Sequence, residues 1–162
     1  MADMKIQKLQ NQDEASECAR IMSSSEPWIT LGRTYEKCMM ILNDKSREVY
    51  VAYKDNELIG FIILIMTGAL TGYIQTLAVK EDYRGQGLGA EIMKFAEDRI
   101  LAERPNVFIC VSSFNPRAQD FYKHLGYELI GELKEYIIPG HSEYLLRKTV
   151  GPFKTFKPKE KN

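Results

Sequence analysis

The segment Glu81–Glu91, EDYRGQGLGAE, places Gly85, Gly87 and Gly89 between an arginine and the start of an amphipathic run. Glycines so spaced let another molecule approach the backbone closely. Three phosphate-binding patterns compete for them. A Walker A loop needs a Lys-Ser or Lys-Thr after its last glycine, and none follows here. A dinucleotide fingerprint, G-x-G-x-x-G/A, matches Gly85–Ala90 letter for letter. In that fold, however, the first glycine ends a strand at once and opens a βαβ unit. Here KEDYR separates Val79 from Gly85, and no acid follows the next strand to bind a ribose; CVSSFN stands there instead. The third pattern, R/Q-x-x-G-x-G/A, fits Arg84–Gly89. Its physics is that of an anion site, in which successive backbone N–H groups and the positive end of a helix dipole face a pyrophosphate.

Outward from this loop the apolar period changes several times. Gly89–Arg104 carries Ile92, Met93, Phe95, Ala96, Ile100 and Leu101 at helical spacing, and Pro105-Asn106 stops it. Upstream, TGYIQTLAV (Thr71–Val79) reads as a strand. REVYVAYK and ELIGFIILIM read as two more, joined by the hairpin turn Asp55-Asn56. Before them come helices over Asp13–Ser23 and Thr34–Leu42, separated by SSSEPW, and a short first strand in KIQKL. Downstream, VFICVSS is apolar throughout, as a central strand would be. Pro116–His124 is a short helix with proline at its start and Gly126 at its end. YELIGEL and SEYLLRKT complete the chain as strands around KEYIIPGH. The order β-α-α-β-β-β-α-β-α-β-β predicts an α/β layered domain.

The chain has 162 residues and equal numbers of acidic and basic side chains, 22 of each. One domain over 1–150 is expected, with a locally basic tail over 151–162 (Lys154, Lys157, Lys159 and Lys161 against Glu160). Zero net charge gives no whole-chain field for nucleic acid, so no nucleic-acid partner is expected. Cys18, Cys38 and Cys110 are far apart and form no metal-binding pattern, so no disulfide framework and no metal are expected. The run Leu58–Met66 is too short to span a bilayer, and the first ten residues lack a signal-peptide core. A cytoplasmic protein with no membrane partner is the expectation.

About 25 residues beyond the glycine loop comes SSFNPRAQDFYKHLGYEL (Ser112–Leu129). Together IQTLAV, RGQGLG and NPRAQDFYKHLGY resemble, in order and spacing, the GNAT family of N-acetyltransferases, over about Lys5 to Thr149. The resemblance implies a mixed, largely antiparallel sheet of six to seven strands with helices on both faces. It implies that the fourth and fifth strands are parallel and splayed, with a thioester entering the gap. It implies acetyl-CoA as co-substrate. The backbone of Leu77, Ala78 and Val79 would pair with its pantetheine arm. The loop Arg84, Gly85, Gln86, Gly87, Leu88, Gly89 and Ala90 would cradle its pyrophosphate, and Asn115 would contact the arm. Tyr122 falls where the family's general-acid tyrosine falls. A phenol, with a reference pKa of about 10, can protonate a leaving thiolate, whose thiol titrates at about 8.5. A backbone N–H near Leu77 would serve the oxyanion.

The sequence departs from the family at its usual general-base positions, where Tyr73 and Cys110 replace glutamate. The acceptor site is expected between SEPWITLGRTY, offering Glu26, Trp28, Arg33 and Tyr35, and KEYIIPGHSEY, offering Glu135, Tyr136, His141 and Glu143. A carboxylate there suits a cationic acceptor, and Arg33 suits a carboxylate. The reading is therefore an N-acetyltransferase acting on a primary amine of a small molecule or a protein N-terminus. A non-catalytic acyl-CoA-binding module is the alternative. Terminal strands exposed in this fold would allow a homodimer.

Overall fold

The computed structural model describes residues 3–160; Lys161, the last lysine of the expected basic tail, lies outside them. Seven strands form one sheet: β1 (Lys5–Lys8), β2 (Glu48–Lys54), β3 (Glu57–Ile65), β4 (Tyr73–Val79), β5 (Asn106–Ser112), β6 (Glu128–Lys134) and β7 (Ser142–Thr149). Their spatial order is β1-β2-β3-β4-β5-β7-β6. Every neighbouring pair is antiparallel except β4 and β5. The helices are α1 (Gln12–Ser23), α2 (Tyr35–Leu42), α3 (Leu88–Leu101) and α4 (Pro116–His124). The fold class and element order expected from the sequence are those observed. Short 3-10 turns at Glu81–Tyr83 and Phe153–Thr155 add to them.

Local chemistry sets the element boundaries. Asn11 and Thr34 cap α1 and α2 with side-chain acceptors for the N–H groups of Glu14 and Lys37. Asp55 and Asn56 both adopt positive φ, as a two-residue hairpin turn requires. Asn115 caps α4, and Pro116 occupies its first turn, where a missing N–H costs nothing. Gly126, at φ 89°, closes the same helix in a left-handed conformation.

The sheet is covered on both faces, and β3 shows why it must be. Its Ile59, Ile62 and Leu64 point to one core, with Ile92, Met93, Ala96 and Ile100 of α3. Its Leu58, Phe61 and Ile63 point to the other, with Ala15, Cys18, Ala19 and Met22 of α1 and Cys38 and Leu42 of α2. Alternation along a strand buried on both faces produces the unbroken apolar run seen in the sequence. Each large aliphatic side chain so buried contributes about 1.5–3 kcal/mol. At one end of the sheet β6 is an open edge, with Leu129 and Ile130 exposed.

The feature that creates the site is the junction of β4 and β5. Only Tyr73↔Phe108 and Ile74↔Ile109 are paired, at the start of both strands. Gly72 makes this close start possible: a Cβ there would sit 2.3 Å from the Asn106 carbonyl oxygen, and its φ is 88°. Beyond Ile74 the strands part. β4 follows β3 across a register shift near Gln75, while β5 stays paired to β7 up to Ser112↔Glu143. The backbone edges of Gln75–Val79 and Cys110–Ser112 that face each other are thereby left without ladder partners.

Candidate active site

The wedge between β4 and β5 opens into a cleft of about 990 Å³. At one end lies the glycine loop. Gly85 and Gly87 have φ of 74° and 82°, a conformation that L side chains rarely adopt. A Cβ at either would meet no protein atom within 4 Å, so the space above them is open. Gly89 differs: a Cβ there would come within 3.5 Å of the Phe121 ring, in ordinary contact. Among the described residues, no acceptor engages the backbone N–H groups of Gly85, Gln86, Gly87, Leu88 and Gly89, and α3 has no side-chain N-cap. The Arg84 Nε donates to the Val79 carbonyl at 2.9 Å, which ties the loop to the end of β4.

Unpaired N–H groups at the start of a helix of 14 residues form a concave donor site for an anion. Gly85, Gly87, Gly89, Ala90 and Arg84 line the cleft, as do Leu77, Ala78 and Val79 of β4. Gln86 and Leu88 of the same loop do not line it. The Gln86 side chain turns out to Lys54 and to the Asp82 carbonyl, and Leu88 is buried in the core.

On the β5 side, Asn115 lines the cleft, and its Oδ1 is committed to the Ala118 N–H at 3.2 Å. Gln119, which sequence reasoning passes over, donates to the carbonyls of Ser112 and Ser113 and so fixes α4 to the end of β5. Tyr122 also lines the cleft while being 7 % exposed. It packs edge-on against Phe121 and Tyr127. Burial alone pushes its phenol up, with no hydrogen bond or charge contributing, so the hydroxyl stays protonated.

The opposite end of the cleft holds Glu26, Trp28 and Arg33 from the α1–α2 connection, Tyr136 from the β6–β7 loop, and Glu143 on β7. Trp28 doubles as a wall of the α1–α2 core. Glu26 accepts from the Thr30 N–H at 3.2 Å. The structure does not bring Tyr35, His141 or Glu135 into the cleft. The Tyr35 hydroxyl lies 2.8 Å from Ser16 Oγ between the two helices, because the first turn of α2 directs it inward. His141 packs edge-on against Phe114. The Glu135 carboxylate folds back onto the Gly140 N–H and shapes the loop.

Tyr73 and Cys110, which the resemblance sets in place of a glutamate base, lie beside each other in the cleft. Burial pushes both up, so neither is an effective base near neutrality. Among the described residues, the deeply buried carboxylate of the cleft is Glu143, 5 % exposed. Its Oε1 accepts the Ser112 hydroxyl at 2.6 Å. Burial raises its pKa, partly opposed by that hydrogen bond and by the positive charge of Arg33. Among the described residues no cluster of His, Cys, Asp and Glu is placed to share a metal ion, and no helix is long and apolar enough to cross a membrane.

Comparison with known proteins agrees with this architecture. The chain is 27 % identical over 119 residues to an N-alpha-acetyltransferase of Sulfurisphaera tokodaii, covering 65 % of this chain and 71 % of that protein. Its fold superposes on the spermidine/spermine N-acetyltransferase SpeG of Vibrio cholerae, solved with manganese ions, at a TM-score of 0.68 and 16 % identity, covering 90 % of this chain and 92 % of the other. It superposes equally, at 0.68 and 18 % identity, on an aminoglycoside 6′-N-acetyltransferase complexed with coenzyme A, covering 91 % and 98 %. The Acetyltransferase (GNAT) family profile matches residues 10–127. The splayed β4–β5 junction, the glycine loop at the head of α3 and this match together make the chain a member of the GNAT acetyltransferase family.

Proposed function

We propose that this protein transfers an acetyl group from acetyl-CoA to a primary amine, by direct attack of the amine on the thioester within the β4–β5 cleft. The observation that carries the reading is the run of unpaired N–H groups from Gly85 to Gly89, opening into the same cleft as the Tyr122 hydroxyl. The loop suits a pyrophosphate, whose charge both the N–H groups and the α3 dipole favour. The unladdered edge of Leu77–Val79 offers backbone hydrogen bonds to an amide-bearing arm, as an added strand would receive. The Nδ2 group of Asn115, which donates to no described residue, can do the same from the other side.

The chemistry needs few groups. A neutral amine attacks the carbonyl carbon, a C–N bond forms and the C–S bond breaks. An N–H on the β4 edge near Leu77 is suited to the oxyanion. The departing sulfur takes the Tyr122 phenolic proton, and the phenolate is restored by a proton lost from the nitrogen as the amide forms. The acceptor is a small molecule or a protein N-terminus. The test is thiol release from acetyl-CoA over a panel of amines, beside acetyl-CoA binding by calorimetry. Binding with turnover supports the reading. Binding without turnover on any amine favours a non-catalytic acyl-CoA module, and no binding removes the glycine-loop assignment.

A further inference from the structure

Glu143 and Arg33 approach the acceptor end of the cleft from different elements, one on β7 and one just before α2. Each has unsatisfied capacity. Glu143 uses Oε1 for Ser112, while Oε2 receives no hydrogen bond from a described residue. Arg33 is half-buried, and its guanidinium makes no ion pair and no hydrogen bond among the described residues; only its backbone is engaged, through Trp28 and Cys38. The two do not pair with each other, although each lies within the other's field. A nearly buried carboxylate without an ion pair is costly to the isolated protein, and an unpaired guanidinium shares its cleft. They are complementary to a ligand that carries both charges.

We propose that the acceptor is an amino acid-like zwitterion, with its amine received by Glu143 and its carboxylate by Arg33, and that Glu143 accepts the amine's proton. This rests on the acetyl-transfer reading above and names its substrate class. An arginine fork matches a carboxylate through two parallel N–H···O bonds. The same positive charge opposes a polyamine or another polycation lacking an anionic group, against the pull of the Glu143 and Glu26 carboxylates, whereas a zwitterion satisfies both signs. The proton balance closes. The acceptor arrives as an ammonium, one proton passes to Glu143 Oε2 and on to solvent, and the neutral amine then attacks. One amide, one CoA thiol and one released proton result. Besides Arg33, the titratable groups at this end of the cleft with Glu143 are Tyr73 of β4, Cys110 of β5, Tyr136 of the β6–β7 loop and Glu26 of the α1–α2 connection, and burial holds Tyr73 and Cys110 in their neutral forms near neutrality. Leu133 of β6 pairs with Glu143 from the other side and carries no charge.

The experiment measures thiol release from acetyl-CoA with the common L-amino acids, their carboxamides, spermidine and a peptide amide. It uses the full chain and its Arg33→Gln, Arg33→Lys and Glu143→Gln variants, with acetyl-CoA binding to each followed by calorimetry. The expected result is turnover of at least one amino acid, with kcat/KM about tenfold or more above its carboxamide and above spermidine. Arg33→Gln should collapse that ratio through KM, and Arg33→Lys should restore part of it. Glu143→Gln should lower kcat and remove the acidic limb of the pH profile. Acetyl-CoA binding in all variants shows that the donor site is intact. Equal turnover of the carboxamide or of spermidine would overturn the inference, as would a ratio unmoved by Arg33→Gln, or no amino acid turnover by a protein that binds acetyl-CoA. Failure to bind acetyl-CoA at all would instead overturn the acetyl-transfer reading, and this inference with it.

Discussion

Ser112 and Glu143 face each other across β5 and β7, and the Ser112 hydroxyl donates to Glu143 Oε1 at 2.6 Å. That bond favours the ionised carboxylate, against a burial that favours the neutral one. Ser112→Ala removes the favourable part only. The Glu143 pKa should then rise further, and the acidic limb of the pH–rate profile should move to higher pH. At a fixed neutral pH, kcat/KM should fall several-fold and recover as the pH is raised. A profile that does not move would separate Glu143 from the proton transfer.

Tyr122→Phe tests the acid. The hydroxyl makes no hydrogen bond to a described residue, so its loss leaves no orphaned partner. The ring contacts with Phe121 and Tyr127 survive the change. The melting temperature should therefore stay level or rise slightly. Turnover should fall by about 10²-fold or more, the scale of a lost general acid, while acetyl-CoA affinity remains within about twofold. Unchanged turnover would reduce Tyr122 to a core aromatic.

Much of this architecture is legible in the amino-acid sequence. The helix Pro116–His124, with proline in its first turn, and the strand Ser142–Thr149 fall where the sequence places them, because turn chemistry and helix-end chemistry are local. The long helix ends at Leu101 rather than Arg104, and β5 begins on Asn106 itself. The turn that closes the helix therefore runs through Pro105 directly into the strand. What the sequence does not reveal lies in pairing. Glu143 is among the acceptor-site candidates that the sequence offers, but its burial is not readable from SEYLLRKT. Only the register Ser112↔Glu143 buries it at the mouth of the cleft. Tyr35 is the converse. It lies in the segment expected to meet the acceptor, but the phase of α2 turns it toward Ser16.

The glycine loop can be tested with a control for backbone strain. Gly87→Ala forces an L residue into a φ of 82° and projects a methyl group into the open space above the N–H groups. Gly68→Ala imposes a similar strain, at φ 85° and with no atom within 4 Å, in the β3–β4 connection. Both should lose about 1 kcal/mol of stability. Only Gly87→Ala should also weaken acetyl-CoA binding, by about tenfold or more in calorimetry. Equal affinities in the two variants would mean that the loop glycines serve the turn rather than a ligand.

Glu143 also carries a prediction about stability that needs no substrate. Its folded-state pKa is raised above the unfolded value, with burial as the largest cause. Between the two values the native state holds more protons than the unfolded chain, so stability falls as pH rises through that window. The window opens near the unfolded carboxyl value of about 4.3. It closes above the raised folded value, beyond which the cost of the buried charge is constant. Glu143→Gln keeps an acceptor for Ser112 and removes the titration. Its melting temperature relative to the parent should therefore climb as pH increases from about 4, then level off. A constant difference across the range would show that Glu143 does not titrate abnormally in the fold. A parent that becomes relatively more stable as pH rises would reverse the sign and make Glu143 part of a stabilising ion pair, leaving Arg33 no longer free for a ligand.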